Sequence, residues 1–468
     1  LLLILLAAAP GPAAAQIPVS SPLKSPLPLT VFQGGVPTGT VTGDAVPITV
    51  LDAIKLALDH NLGALTAEQA VTHANGTRWK ALSDLLPNVN ARVSETRQTI
   101  NLAAFGFGSF GDAFGNIPNI VGPFNVFDAR VYVSQALLDL HARNDARAEG
   151  FNVTAAQFVS KSAREFVIHV AANLYIQALA AQARVETATA QKDTAAVLNT
   201  QALDLKQSGI VAGIDVLRAQ VELSNETQRL TAATNDFEKA KLQLARAIGL
   251  PLGQAFTLDA RLPDLPDPDI TLDAAVARAY QTRPDYQAAL ARVKAAEAAR
   301  QAIIGESLPS VHLNADYGDL GLSPSDAHAT FTVSGAVIVP IFQGGKAKGR
   351  LLEADADLRT RRAEAEDQKA TVYYEIRTAF LDLQASGQQL EVATKGRDLA
   401  SQELTQARDR FTAGVGNNIE VVQAQDAVAT ANEQFIRAQY GLALARGALI
   451  RTVGSSDDML RQLLGGTR

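Results

Sequence analysis

The sequence predicts an α+β membrane protein made of two copies of one repeat. Three observations predict it: duplicated landmarks, heptads of large and small apolar residues sustained over long stretches, and four segments that alternate apolar and polar residues. Ile48-Thr49-Val50, Ala53-Ile54 and Ala57 return as Ile270-Thr271-Leu272, Ala275-Val276 and Ala279. The same offset of 222 carries Leu86-Pro87-Asn88-Val89 onto Leu308-Pro309-Ser310-Val311. Further on, Gly209, Ile214-Asp215-Val216 and Ala219-Gln220 match Gly414, Ile419-Glu420-Val421 and Ala424-Gln425 at an offset of 205. The first copy therefore carries extra residues, assigned to the Gly/Phe-rich stretch 101–124, a loop.

In chain order, Leu1 to Ala9 and the small residues Ala13 and Ala15 read as a secretory signal peptide over 1–15, truncated at its start. A short buried helix is the alternative. Residues 16–47, with Pro18, Pro22, Pro26, Pro28, Pro37 and Pro47, read as an extended arm. Repeat 1 (48–250) and repeat 2 (270–455) each run helix, strand, loop, strand, long helix, turn, long helix. A Pro/Asp-rich linker (251–269) joins them, and 456–468 form a tail.

The strand candidates are Val89-Ala91-Val93, Phe127-Ala129-Val131-Val133, Val311-Leu313-Ala315-Tyr317 and Phe331-Val333-Gly335-Val337-Val339, interleaved with polar residues such as Arg92, Arg130, Asp316 and Thr332. This is the lipid-out, water-in pattern of a membrane barrel, and equally that of a sheet packed on helices. Four strands cannot close a barrel, for which eight is the usual minimum, so a barrel requires several chains. The long helices are expected over about 138–208 and 346–412, near 105 Å for the first at 1.5 Å per residue. The helices after them carry seams at Val216, Leu223, Leu230, Phe237 and Leu244 with Ala219, Ala233, Ala240 and Ala247, broken by Glu226. Val421, Val428, Phe435, Leu442 and Leu449 with Ala424, Ala431, Ala438 and Ala445 repeat the pattern up to Thr452. A period of 3.5 means supercoiled helix packing. No stretch after the leader reads as long enough to cross a bilayer as a helix.

Composition narrows the function. A net charge of −6 argues against nucleic acid as a partner. The chain has no cysteine, which removes disulfides, thiolate metal sites and lipid-modified cysteine anchors. The six histidines have no metal-ligand spacing. Gly344-Gly345-Lys346 fails as a phosphate loop because Pro340 and Ala347 stand where Gly and Ser or Thr are required. No nucleophile, acid/base pair or cofactor fingerprint is present, so neither an enzyme nor a cofactor is expected.

The paired repeat openings, Ile48 to Asn61 and Ile270 to Arg283-Pro284, the Leu-Pro strand entries and the exit Val339-Pro340-Ile341-Phe342-Gln343-Gly344-Gly345 together resemble the TolC-like outer-membrane efflux family over about residues 44–455. The first copy departs at its exit, with Gln135-Ala136-Leu137-Leu138-Asp139-Leu140. The resemblance implies a homotrimer in the outer membrane, with a 12-stranded β-barrel continued by a long periplasmic α-helical coiled-coil barrel. It implies a passive channel of a tripartite efflux or type I secretion system, docked to a periplasmic adaptor and an inner-membrane pump. It also places adaptor docking at two tip turns, Leu205, Ser208 and Gly209 in one and Phe411, Ala413 and Gly414 in the other. The pore gate candidates are Glu420, Gln423, Asp426 and Asp215, with Glu420 matching most closely. A carboxylate in the first turn of a helix also simply favours the macrodipole. The alternative function is a soluble periplasmic coiled-coil tether or adaptor.

Overall fold

The computed structural model describes residues 34–105, 120–259, 270–413, 415, 416 and 418–454. The expected signal peptide, arm residues 16–33, loop residues 106–119, linker residues 260–269, Gly414 and the tail lie outside the described residues.

After a short strand β1 (Val46–Ile48), the first copy opens on two helices where the sequence reading expected one. Thr49 and Asp52 form a reciprocal capping box that starts α1 (Val50–His60). Asn61 ends α1, and its side chain accepts from the Gly63 amide to start α2 (Leu62–Ser83). β2 (Asn88–Asn101) and β3 (Ile120–Leu138) follow, so the stretch 101–124 is in part strand. Asp139 caps α3 (Leu140–Gln207), which turns into α4 (Gly213–Ile248) and β4 (Phe256–Leu258). The second copy repeats the order as α5 (Leu272–Thr282), α6 (Pro284–Gly305), β5 (Ser310–Gly321), β6 (His328–Ile338), α7 (Lys346–Thr412) and α8 (Asn418–Thr452). Here Arg283 and Pro284 make the break between the opening helices, Pro at the first helical position lacking an N–H that would be orphaned anyway.

β1 and β4 pair in parallel, a contact between arm and linker that no local pattern announced. Tyr175, fully buried on α3, locks it by donating to the carbonyls of Ile48 and Asp259. The other four strands form one antiparallel sheet in the order β2-β3-β5-β6, leaving β2 and β6 as edges.

The helices repeat that order. Near the sheet, α3 lies between α2 and α6, and α6 packs on α7. Farther down, α3 packs on α4 and α8, and α8 packs on α7. Each level is thus an arc of four helices with α7 at one end of both. The seam positions expected on α4 and α8 are all buried or half-buried, while most other α4 positions are exposed.

One apolar window of α3 is long and apolar enough to cross a membrane, contrary to the sequence reading, and 56% of it is buried. Its Ile168, Ala171, Tyr175, Ile176 and Leu179 pack with Ile48, Ile54, Leu244 and Ile248. The window is therefore a core helix segment, apolar because α1, α4 and the β1/β4 pair cover it. A second core joins α5, α7 and α8 through Ala275, Ala279, Val372, Ile376 and Leu449.

Candidate functional site

The register separates the large sheet into two chemically distinct faces. Val89, Val133, Ala315 and Val333 form one row, and Ala91, Val131, Tyr317 and Phe331 another on the same face. That face is exposed, with Val93, Phe331, Val333 and Val337 all above 60%. Such a contiguous apolar surface has to be covered, by lipid or protein. The opposite face carries the rows Asn88, Ser134, Asn314, Ser334 and Arg92, Arg130, Gly318, Thr330. There Arg130 bonds Asp128 and reaches Asp316 at 3.3 Å, and it sits in half-buried surroundings rather than open solvent.

At the far end, the turn between α3 and α4 is a Schellman motif. Ile210 N–H donates to Leu205 O and Gly209 N–H to Lys206 O, with Gly209 at φ 75° and Ser208 as C-cap. The turn between α7 and α8 begins alike, with Ala413 as C-cap and Val415 N–H donating to Arg410 O beyond the last turn with Phe411. Gly414 itself lies outside the described residues. Both tips expose apolar side chains at matching positions, Ile210 with Ile214 and Val415 with Ile419.

The acidic candidates take different partners. Asp215 bonds Arg218 at 3.2 Å within the first turns of α4. Glu420 bonds Arg410 at 3.2 Å, which ties the start of α8 to the end of α7. Gln423 is exposed. Asp426 reaches across to α4, where Arg229 donates to it at 3.1 Å and also bonds Glu226. Asp426, Arg229 and Glu226 form a polar tie between α4 and α8 that the sequence reading did not assemble. Its signal was present: Glu226 is the one charge in the α4 seam, and it is buried. Glu222, one turn earlier, is also buried, and burial together with the charges of Asp426 and Glu226 raises its pKa. Among the described residues, no group of three or more His, Asp or Glu is placed to hold a metal ion.

Long helical hairpins joined to a sheet with one exposed apolar face define, as a class, a protein of mixed α and β structure whose sheet lipid or protein must cover. Residues 275–455 match the family described as outer membrane efflux protein. The chain is similar to the pyoverdine export outer membrane protein OpmQ of Pseudomonas putida, 24% identical over 60% of this chain. That match spans 60% of the length of OpmQ. It is also similar to the outer membrane efflux protein BepC of Brucella suis, 24% identical over 72% of this chain and 77% of BepC. In fold it resembles the Campylobacter jejuni CmeC outer membrane channel, with a TM-score of 0.76, 18% identity and coverage of 87% of this chain and 86% of CmeC. Residues 275–455 are thus similar in sequence to outer membrane efflux proteins, and the chain shares its fold with outer membrane channels such as CmeC.

Proposed function

We propose that three copies of this chain close into one twelve-stranded barrel, continued by an α-helical tunnel into the periplasm, and serve as a passive exit duct that catalyses no reaction. The observation that carries this reading is the pair of free edges. β2 and β6 run in opposite directions, so β6 of one copy can pair with β2 of the next in the antiparallel sense the rest of the sheet uses. Closure removes an edge that would otherwise invite aggregation. The ends of the helical arcs, α2 and α7 above and α4 and α7 below, meet the same way. Trp79 of α2, 67% exposed, supports such a contact. Cargo is small molecules or secreted polypeptides, delivered by an inner-membrane pump and a periplasmic adaptor that docks on the exposed tips around Ile210 and Val415.

Because the chain has no cysteine, introduced pairs report cleanly. One cysteine scanned along β2 and one along β6 are expected to crosslink chains into dimers and trimers in outer-membrane vesicles, with heat-modifiable migration. Recovery as a monomer, fully soluble without detergent, rules the duct out and favours the tether.

The gate is proposed where Glu420 and Asp426 lie on α8. Glu420→Gln is expected to lower cation selectivity and weaken block by multivalent cations in planar bilayers, as charged rings do elsewhere, without loss of trimer. Asp426→Asn leaves Arg229 with Glu226 alone, weakens the tie between α4 and α8, and is expected to raise the resting conductance. If neither recording changes, these carboxylates serve only their helices.

A further inference from the structure

We infer that the outer wall just below the sheet carries a binding site for the phosphate of an anionic phospholipid headgroup, an inference that rests on the duct reading. The site is a groove of about 1020 Å³ between the first turns of α3, the last turns of α6 and the upper part of α7. Arg147, Lys294, Arg300, Arg359 and Arg362 line it, against Glu297 and Asp355 alone. Arg300 is tied to Asp355, and Arg362 to Glu297 at 2.8 Å. That leaves three positive charges in excess, on Arg147, Lys294 and Arg359, in a chain whose net charge is −6. Arg147 is steered over the ring of Phe151, and Arg359 donates only to the Asp355 carbonyl of its own helix.

The direction the groove faces follows from chirality. Thr330 donates to Gly318 O and Ser334 to Asn314 O, so residues of β5 on the polar face send their carbonyls toward β6. With L-residues, β5 rising away from the helices and the polar face lining the lumen, β6 then lies to the right of β5 as seen from inside. The order β2, β3, β5, β6 therefore runs clockwise viewed from the extracellular end. On α3, His141 faces α6 through Glu306, and Gly150 faces α2 through Arg78. At 3.6 residues per turn, positions 144, 147 and 151 fall between those two flanks on the outer side. On α6, Gly305 faces α3 and Arg300 faces α7, which turns Lys294 and Gln301 to the same side.

Height agrees with direction. Asn144 to Phe151 lie 4 to 11 residues beyond the start of α3, about 6 to 17 Å below it. A headgroup layer adds about 5 to 8 Å beyond the hydrocarbon, and long basic side chains reach up toward it. The groove opens on the α6 side of α7, away from the next copy's α2, so closure of a trimer leaves it open.

The test uses the detergent-purified oligomer, titrated with short-chain phosphatidylglycerol, with phosphatidylcholine of equal chain length and with inorganic phosphate, and read by native mass spectrometry. Wild type is expected to retain phosphatidylglycerol, and the triple variant Arg147→Ala, Lys294→Ala, Arg359→Ala to lose about a hundredfold in affinity. Glu297→Gln is expected to tighten retention, and its exposed pair with Arg362 contributes little to folding. Equal retention by wild type and triple variant overturns the site. So does equal binding of phosphatidylcholine, or inorganic phosphate binding as tightly as the lipid. Oligomer mass in the same spectra checks the duct reading separately, because Arg147 and Lys294 lie on the inner helices of the arc and Arg359 lines the α6 side of α7, away from the next copy.

Discussion

Replacing Arg283 by alanine is expected to lower stability by about 1.5 to 3 kcal/mol, the worth of hydrogen bonds from a buried cation to half-buried carboxylates. Arg283 caps α6, and its side chain is only 5% exposed. It donates to Asp285 from Nε at 3.0 Å and to Glu375 on α7 from Nη1 at 2.6 Å. One guanidinium thereby clamps the break between α5 and α6 onto the long hairpin. Burial alone would raise the pKa of Asp285, but the bond and charge of Arg283 outweigh it and hold that carboxyl below the usual range. Its contribution is therefore complete above the ordinary Asp pKa and is lost as pH falls through the lower folded value. Denaturant unfolding of the detergent-solubilised protein at neutral pH measures the loss. Arg283→Lys, which keeps the charge without the planar fork, is expected to fall between wild type and alanine. An alanine variant as stable as wild type would falsify the clamp.

Val333→Arg is expected to abolish assembly in the outer membrane, whereas Thr332→Arg, one residue away, is tolerated. Val333 lies on the exposed apolar face in the row of Val89, Val133 and Ala315, and Thr332 lies on the polar face opposite Asp316. A lipid-facing Arg near the bilayer midplane costs about 2 to 4 kcal/mol, and a closed trimer incurs it three times. The amount of heat-modifiable oligomer in outer-membrane fractions reads the difference. Equal behaviour of the two variants would mean that the sheet faces are not divided between lipid and water.

What the sequence reveals of this fold depends on whether the signal is periodic. The seams at Val216 and Val421 and the alternation around Val131 and Val333 repeat over many residues, so they locate the long helices and the large sheet without any structure. The β1/β4 pair is three residues long on each strand and joins segments more than two hundred residues apart, so no local pattern marks it. The break at Asn61 carries no proline such as Pro284 at the matching break of the second copy, and a single capping side chain makes the stop. At the hairpin tips, Glu420, Asp426 and Asp215 were found as carboxylates in a frame. Asp215 meets Arg218 three residues on along its own helix, whereas Arg410 and Arg229 emerge as partners of Glu420 and Asp426 only once the helices are laid side by side. Glu226 shows the limit well: it reads as a flaw in an apolar seam and turns out to hold Arg229, which reaches Asp426 across the two hairpins.

The position of α7 at the end of both helical arcs has a mechanical consequence. The same 67-residue helix forms the chain's boundary from the sheet to the tip, a stiff rod of about 100 Å. Pivoting such a rod by ~5° about its membrane end sweeps the tip through ~9 Å, by the rise per residue of an α-helix. In the trimer proposed above, three such rods swinging together turn a small rotation at the periplasmic end into an aperture change at the tips, on the ~9 Å scale of that sweep.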